Sequence, residues 1–220
     1  MNVTRSAVLS GIATGVASVV WRRAALSKEP MPIVRVGYIP AEVAAESFFG
    51  VDMGFFKKAG LEVALEAFVS PGAIASALVG GAIDVGLHDI AGMIAAHAHG
   101  VPLVYLATGQ LFDERAPVYG TIVKADSPIV NARDFKGAFG VSSVNNIAAL
   151  GTLAWIDKNG GDSKRVKFTE LPFPTMTDAV ARGTIDGAVP TEPWLASANE
   201  RGLRTILPHN GIARSYVLSG

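Results

Sequence analysis

A four-residue phrase, Gly-x-Ile-Asp, occurs twice in this chain, as Gly81–Asp84 and as Gly183–Asp186. The offset of 102 residues that carries one copy onto the other also carries Ala77 onto Ala179 and Gly100 onto Gly202. One shared tetrapeptide is weak evidence in a chain with 24 glycines. A helix, a breaker, a strand, a second helix and a second breaker recurring together carry much more weight. They argue for two homologous units. A gap of a few residues near Gly160–Lys164 would bring the earlier strands into line.

The elements around the phrase alternate. Ile33–Ile39 is an apolar run closed by Pro40 and reads as a buried strand. Ala41–Ala59 reads as one helix, with Ala44, Phe48, Val51, Phe55 and Phe56 near helical spacing and Gly60 just past its end. Leu61–Val69 alternates as a strand, and Ala73–Val79 is a short helix after Ser70-Pro71-Gly72. Ala82–Leu87 is a strand, Asp89–His99 a helix, and Val101–Thr108 a fourth strand. The second half repeats the order: strands at Val118–Val123 and Ala138–Val141, a helix at Ile147–Asn159, then a strand at Val166–Leu171. A helix at Thr175–Arg182, a strand at Thr184–Val189, a helix at Pro193–Glu200 and a strand at Leu203–Leu207 complete it. Apolar strands joined through helices predict an α/β fold with mostly parallel sheets covered on both faces.

Composition narrows the function classes. The chain has 19 basic and 19 acidic residues, so it lacks the basic excess that phosphate neutralisation demands, and no nucleic acid is expected as partner. It has no cysteine, which excludes disulfides, thiolate zinc sites and thiol catalysis. Arg5 precedes an uncharged run of 14 residues, Ala7–Val20, the length of a signal-peptide apolar region, and Ala25-Leu26-Ser27 is a small-x-small cleavage site. Export with residues 1–27 as signal peptide is the expectation; an unprocessed amphipathic tail or a single anchor helix is the alternative. Arg22-Arg23 follows the apolar run, which speaks against twin-arginine export. Loss of residues 1–27 would leave 16 bases against 19 acids.

Gly81 and Gly183 end helices and turn sharply into strands, a use that favours positive φ. Ile83 and Ile185 are expected to fill the space between sheet and helix. Asp84 and Asp186 beside such turns are expected to be caps or turn acceptors rather than catalysts. Chemistry in open α/β sheets gathers instead at the carboxyl ends of the strands. The loops there are Pro40-Ala41-Glu42, Ser70-Pro71-Gly72, His88-Asp89, Ser142-Ser143-Val144-Asn145 and Pro190-Thr191-Glu192-Pro193-Trp194. Several lead into helix N-termini, whose free N–H groups can hold an anion.

With Val34–Tyr38 (VRVGY), Phe55–Val63 (FFKKAGLEV), Gly80–Leu87 (GGAIDVGL) and Gly183–Trp194 (GTIDGAVPTEPW), the chain resembles a known family. These are the periplasmic substrate-binding proteins of ABC transporters, in the branch that binds nitrate, taurine, alkanesulfonates and thiamine precursors. The resemblance runs from about Ile33 to the end and is silent about the ligand. It implies a two-lobe clamshell that closes on a small organic molecule and delivers it to an inner-membrane permease. The lobes would span residues 31–112 and 113–211. Crossovers would lie near Gly109–Pro117 and Ile212–Ser219, with 212–220 beginning the return to the first lobe. In that family the chain goes on to complete the first lobe, so a truncated first lobe, or a truncated inactive relative, is a further expectation. A periplasmic monomer without catalysis or cofactor is implied.

The candidate ligand residues are Pro40, Glu42, Ser70, His88, Asp89, Ser142, Ser143, Asn145, Thr191, Glu192 and Trp194. Trp194 suits stacking on a ligand or a place in the core. Ser70, Ser142, Ser143 and Thr191 suit ligand contact or helix capping. His88 is either a ligand contact or structural. Glu42 would suit an amine or a heteroaromatic N–H, and the named loops hold Glu42, Asp89 and Glu192 without any Lys or Arg. That charge balance favours a cationic or neutral ligand. His97 and His99 point to different sides of a helix and cannot share a metal there; they are expected to serve the helix C-terminus. His209 is expected in a solvated turn. No nucleophile-elbow, P-loop, dinucleotide-binding or zinc-protease motif occurs. The rival expectation is an enzyme on the same fold. The relative that makes a thiamine pyrimidine carries a cysteine-rich motif that this chain cannot have. The relatives that dehydrate a menaquinone precursor are cytosolic.

Overall fold

The computed structural model describes residues 31–206 and 215–219. The segment 1–27 and His209 lie outside the described residues. The chain opens with β1 (Ile33–Tyr38), a 3-10 turn (Glu42–Ala44), α1 (Ala45–Asp52) and α2 (Phe55–Lys58). The single helix expected over Ala41–Ala59 is therefore broken. Gly54 adopts a left-handed conformation, φ 68°, which no helical hydrogen-bond ladder tolerates. β2 (Glu62–Ala67), α3 (Pro71–Val79), β3 (Val85–Gly86) and α4 (Ile90–Ala98) follow. β1 lies between β2 and β3, parallel to both.

Val101–Thr108 does not form the expected fourth strand. Its apolar pattern suits a strand, but a cavity of about 300 Å³ lies between residues 102–106 and the edge formed by β3. Val104 and Leu106 are 78% and 75% exposed. Local pattern alone cannot close that gap, and the strand β4 begins only at Gln110, running to Asp113.

The second half contains β5 (Thr121–Val123), β6 (Gly137–Val141), α5 (Ile147–Lys158), β7 (Val166–Glu170) and α6 (Phe173–Arg182). β8 (Gly187–Ala188), α7 (Trp194–Glu200) and β9 (Arg204–Ile206) complete a five-stranded sheet in the order β7-β6-β8-β5-β9. β6 is parallel to β7 and β8, whereas β5 is antiparallel to β8 and β9. The order β2-β1-β3 thus reappears as β7-β6-β8. Pairings Ile33↔Glu62 and Gly137↔Val166 share one sequence separation. The offset between halves therefore shifts by a single residue after β2 and β7, and not near Gly160–Lys164. Finally β10 (Ser215–Ser219) pairs antiparallel with β4, which sets these two segments side by side.

The repeated phrase has one physical job in both halves. Gly81 and Gly183 have φ of 70° and 73°, where a side chain would be strained. Each aspartate then clips its strand to the central one. The Asp84 backbone N–H donates to the Arg35 carbonyl at 2.9 Å, and its carboxylate accepts from the Arg35 backbone N–H at 2.9 Å. The Asp186 N–H donates to the Ala138 carbonyl at 2.8 Å, and its carboxylate accepts from the Ala138 N–H at 2.8 Å. The two-residue strands β3 and β8 thereby gain an extra ladder rung. Ile83 is buried between sheet and helix, and Ile185 packs on the core around Ile122 and Met176.

Asp84 also takes the Arg35 guanidinium, at 3.0 and 2.8 Å, and its pKa is lowered to about 2, chiefly by these side-chain and backbone hydrogen bonds. The stabilisation linked to this carboxylate is complete above the unfolded value, near pH 4, and is lost as pH falls through about 2. The pair is exposed, so the effect is modest. Urea unfolding between pH 5 and 2 should show a smaller acid loss in Asp84→Asn than in the wild type; parallel curves would remove this role.

Candidate functional site

Between the carboxyl ends of β1 and β3 on one side and β6 and β8 on the other lies a cavity of about 40 Å³. Four predicted residues meet at it: His88, Asp89, Ser142 and Thr191. The chain brings them together through helix starts. Asp89 is the N-cap of α4, its Oδ1 accepting from the Gly92 N–H at 2.9 Å. The same oxygen accepts from the Ile147 N–H at 3.0 Å, the first residue of α5. One carboxylate oxygen therefore caps two helices, one from each half of the repeat, and ties the two sides of the cavity together.

The second Asp89 oxygen is different. Oδ2 is buried and has no hydrogen-bond partner. His88 Nδ1 lies 3.4 Å from it but sits closer, at 3.1 Å, to the Asp89 backbone carbonyl. Burial pushes the Asp89 carboxyl above the usual carboxylate range, against the pull of its hydrogen bonds from Gly92 and Ile147. The close quarters rest on Gly92, where an added Cβ would stand 2.8 Å from Oδ2.

Opposite, Asn146 caps α5 through its Oδ1, which accepts from the Ala149 N–H at 2.8 Å, and its amide donates to Ser142 Oγ at 2.7 Å. Thr191 donates its hydroxyl to the Val118 carbonyl at 3.0 Å and bridges Tyr119 by backbone pairing. Ser219, at the end of β10, bridges Asp89 in the same way; it is 4% exposed and its Oγ has no hydrogen-bond partner.

Two further cavities adjoin. An apolar one of about 200 Å³ meets the first at Ile39 and Phe173 and is also lined by Pro40, Phe68, Pro172 and Trp194. Trp194 stacks on Phe173, with centroids 5.4 Å apart and planes 17° from parallel. An open one of about 500 Å³ holds Pro40, Glu42 and Glu192. The Glu42 N–H donates to the Glu192 carbonyl at 3.1 Å, and its carboxylate accepts from the Gln110 amide. The Glu42 carboxyl is pushed up by desolvation and then by the negative charge of Glu192.

The remaining predicted residues stand apart. Ser70 caps α3, accepting from the Ala73 N–H at 3.3 Å, and its neighbour Pro71 lines the first cavity instead. Ser143 is half-buried and Asn145 exposed, outside the three cavities. His99 Nδ1 lies 2.7 Å from the Ala95 carbonyl at the end of α4. Among the described residues no group of three or more His, Cys, Asp or Glu side chains could hold a metal.

The other eight lining residues are not among the predicted ligand residues, and they include Tyr119, Asn146, Phe173 and Ser219. Asn146 carried a signal, as an N-cap residue directly before the helical run that starts at Ile147. Phe173 follows the carboxyl end of β7, a loop of the same kind as those chosen. Tyr119 and Ser219 arrive through antiparallel pairing and carried no local signal.

No curated protein sequence matches the chain significantly. Solved structures do match. The ligand-binding component of an ABC-type import system from Staphylococcus aureus, solved with zinc bound, superimposes with a TM-score of 0.72 at 15% identity. The match covers 86% of this chain and 64% of that one. The alkanesulfonate-binding protein SsuA from Xanthomonas axonopodis pv. citri, bound to MOPS, gives 0.70 at 19% identity, over 86% and 65% of the two chains. A Candida albicans protein with the generic periplasmic binding protein fold gives 0.65 at 17% identity, over 86% and 62%. The chain thus has the periplasmic-binding-protein fold and spans a little under two thirds of the length of these structures. The model of the NMT1-like family matches residues 27–210, and the chain belongs to that family.

Proposed function

We propose that this chain is the solute-binding component of an ABC importer. It captures a small organic molecule in the cleft between its two halves and delivers it to a membrane permease. The observation that carries this reading is the cavity at Asp89, built from strand ends and helix starts of both halves of the repeat. Residues 31–112 and 113–211 act as the two lobes, and the paired β4 and β10 as the connection that lets them hinge. Residues 1–27 act as the export signal for the periplasm, and no helix among the described residues is long and apolar enough to cross a membrane. The likeness to import components of known structure supports a binding role over a catalytic one.

Ligand that binds the folded state raises its stability in proportion to the logarithm of concentration over Kd. The test is thermal unfolding of the full chain against sulfonates, nitrate, amines, pyrimidines and aromatic acids. At least one class should raise the midpoint saturably, and calorimetry should return one site per chain with the solute recovered unchanged. Recovery of a converted product would overturn the reading in favour of an enzyme. A flat response across all classes would overturn it outright.

A further inference from the structure

Two buried oxygens at one cavity lack a hydrogen-bond partner: Asp89 Oδ2 and Ser219 Oγ. Backbone pairing of Asp89 with Ser219 sets the two residues opposite each other. Most buried polar atoms in native proteins have a partner; of the unpartnered ones here, Thr121 Oγ1 and Thr177 Oγ1 line none of these cavities, whereas Asp89 Oδ2 and Ser219 Oγ belong to residues that line the same one, which points to a missing partner there. The carboxylate accepts only, and the hydroxyl can accept. What they lack is a donor. His88 does not fill the role, because its Nδ1 is nearer the Asp89 carbonyl than Oδ2.

Size and charge narrow the class. The cavity of about 40 Å³ is small, since a water takes roughly 10–15 Å³ on this measure, so it suits a head group rather than a whole solute. Next to it lies the apolar cavity of about 200 Å³, with Phe68, Pro172, Phe173 and Trp194. No Lys or Arg lines either one, or the open cavity that holds Glu42 and Glu192. An anion would meet Asp89 with no Lys or Arg at the cavity to offset its charge, His88 being the one ionisable base that lines it. A buried carboxylate facing an ammonium gains a charge-assisted hydrogen bond and loses the cost of standing alone.

We propose that the solute is an amine with an apolar, aromatic-sized body, its ammonium held between Asp89 Oδ2 and Ser219 Oγ and its body in the Phe68–Trp194 cavity. This rests on the solute-binding reading and names the ligand class of that site. It differs from what the SsuA structure holds, which is MOPS.

The test is calorimetry on the full chain with benzylamine, benzyl alcohol, benzoate and benzenesulfonate at matched ionic strength. Benzylamine should bind tightest, benzyl alcohol more weakly, and the two anions weakest. Asp89→Asn keeps Oδ1 to cap Gly92 and Ile147 but places an N–H₂ donor where Oδ2 stood. It should weaken benzylamine about ten- to a hundredfold and leave benzyl alcohol within about threefold. Ser219→Ala, which disturbs no cap, should weaken benzylamine by a smaller factor in the same direction. Tighter binding of benzoate or benzenesulfonate would overturn the ammonium site while leaving the solute-binding function standing. Unchanged benzylamine affinity in both variants would move the amine away from Asp89 and overturn the assignment. Absence of binding by every probe would overturn the ligand class, and a flat response to the wider solute panel as well would take the function with it.

Discussion

Asp89→Ala should destabilise the chain by about 2–3 kcal/mol, whereas Asp89→Asn should stay within about 1 kcal/mol of the wild type. The alanine leaves two helix-start N–H groups, at Gly92 and Ile147, without their acceptor. Loss of an N-cap costs about 1 kcal/mol, and a second N–H left without its partner in a partly buried site about 1–3 kcal/mol. Relief from burying a carboxylate offsets part of this, since burial already pushes that carboxyl's pKa upward. Asparagine keeps the acceptor and sheds the charge. For a chain of this size the alanine should lower the melting midpoint by about 4–12 °C. Denaturant unfolding of both variants decides the matter: equal stabilities would show that the double cap is not made. The comparison isolates the part of Oδ1, which both asparagine and aspartate keep and alanine lacks.

Phe139→Ala should cost more, about 3–5 kcal/mol. Phe139 lies on β6, between β7 and β8, and is fully buried. Its ring stacks on Phe135 at 5.3 Å, with planes 13° apart, and Val123, Ile129 and Ile156 close the cluster. The neighbouring strand is shaped to it: an added Cβ at Gly187 would come within 2.6 Å of the ring. A ring removed from such a site leaves a cavity that the flanking strands cannot close. Against a total stability of about 5–15 kcal/mol the loss is large. Phe49→Ala, at a ring 65% exposed on α1, should change stability by only about 0.5 kcal/mol. Urea midpoints for the two variants test this, and comparable losses would show that β6 is not the centre of the core.

Much of the architecture was legible because it is written in local terms. Gly81 and Gly183 stop helices at positive φ, and each following Asp has a carboxylate one backbone group from the central strand. Both are short-range facts that recur at a fixed spacing. The helices at Ile147–Lys158 and Phe173–Arg182 begin and end within two residues of their predicted bounds, because Asn146, Pro172 and Gly183 punctuate the pattern. Gly54 was misread for the opposite reason: a glycine in an apolar helical pattern does not announce whether it will turn left-handed.

The candidate site was half legible. Strand-end loops are where α/β folds place ligands, and that rule found His88, Asp89, Ser142 and Thr191. It also named Ser143, half-buried, and Asn145, exposed, neither of which lines a cavity, because position in a loop does not state which way a side chain points. It overlooked Ser219, which reaches the cavity only because β10 pairs with β4 from the far end of the chain.

By itself, then, the sequence determined the class of fold, the two-fold repeat of strand and helix, and the absence of thiol chemistry. Those follow from periodicity, breakers and composition, which act over a few residues. Only the tertiary structure decided that one Asp89 oxygen caps two helices while the other has no hydrogen-bond partner. It also decided that Val101–Thr108 lies off the sheet and that Ser219 stands over the cavity. Those depend on which distant backbone groups pair, and pairing across a hundred residues is settled by the burial and hydrogen bonding of the whole chain.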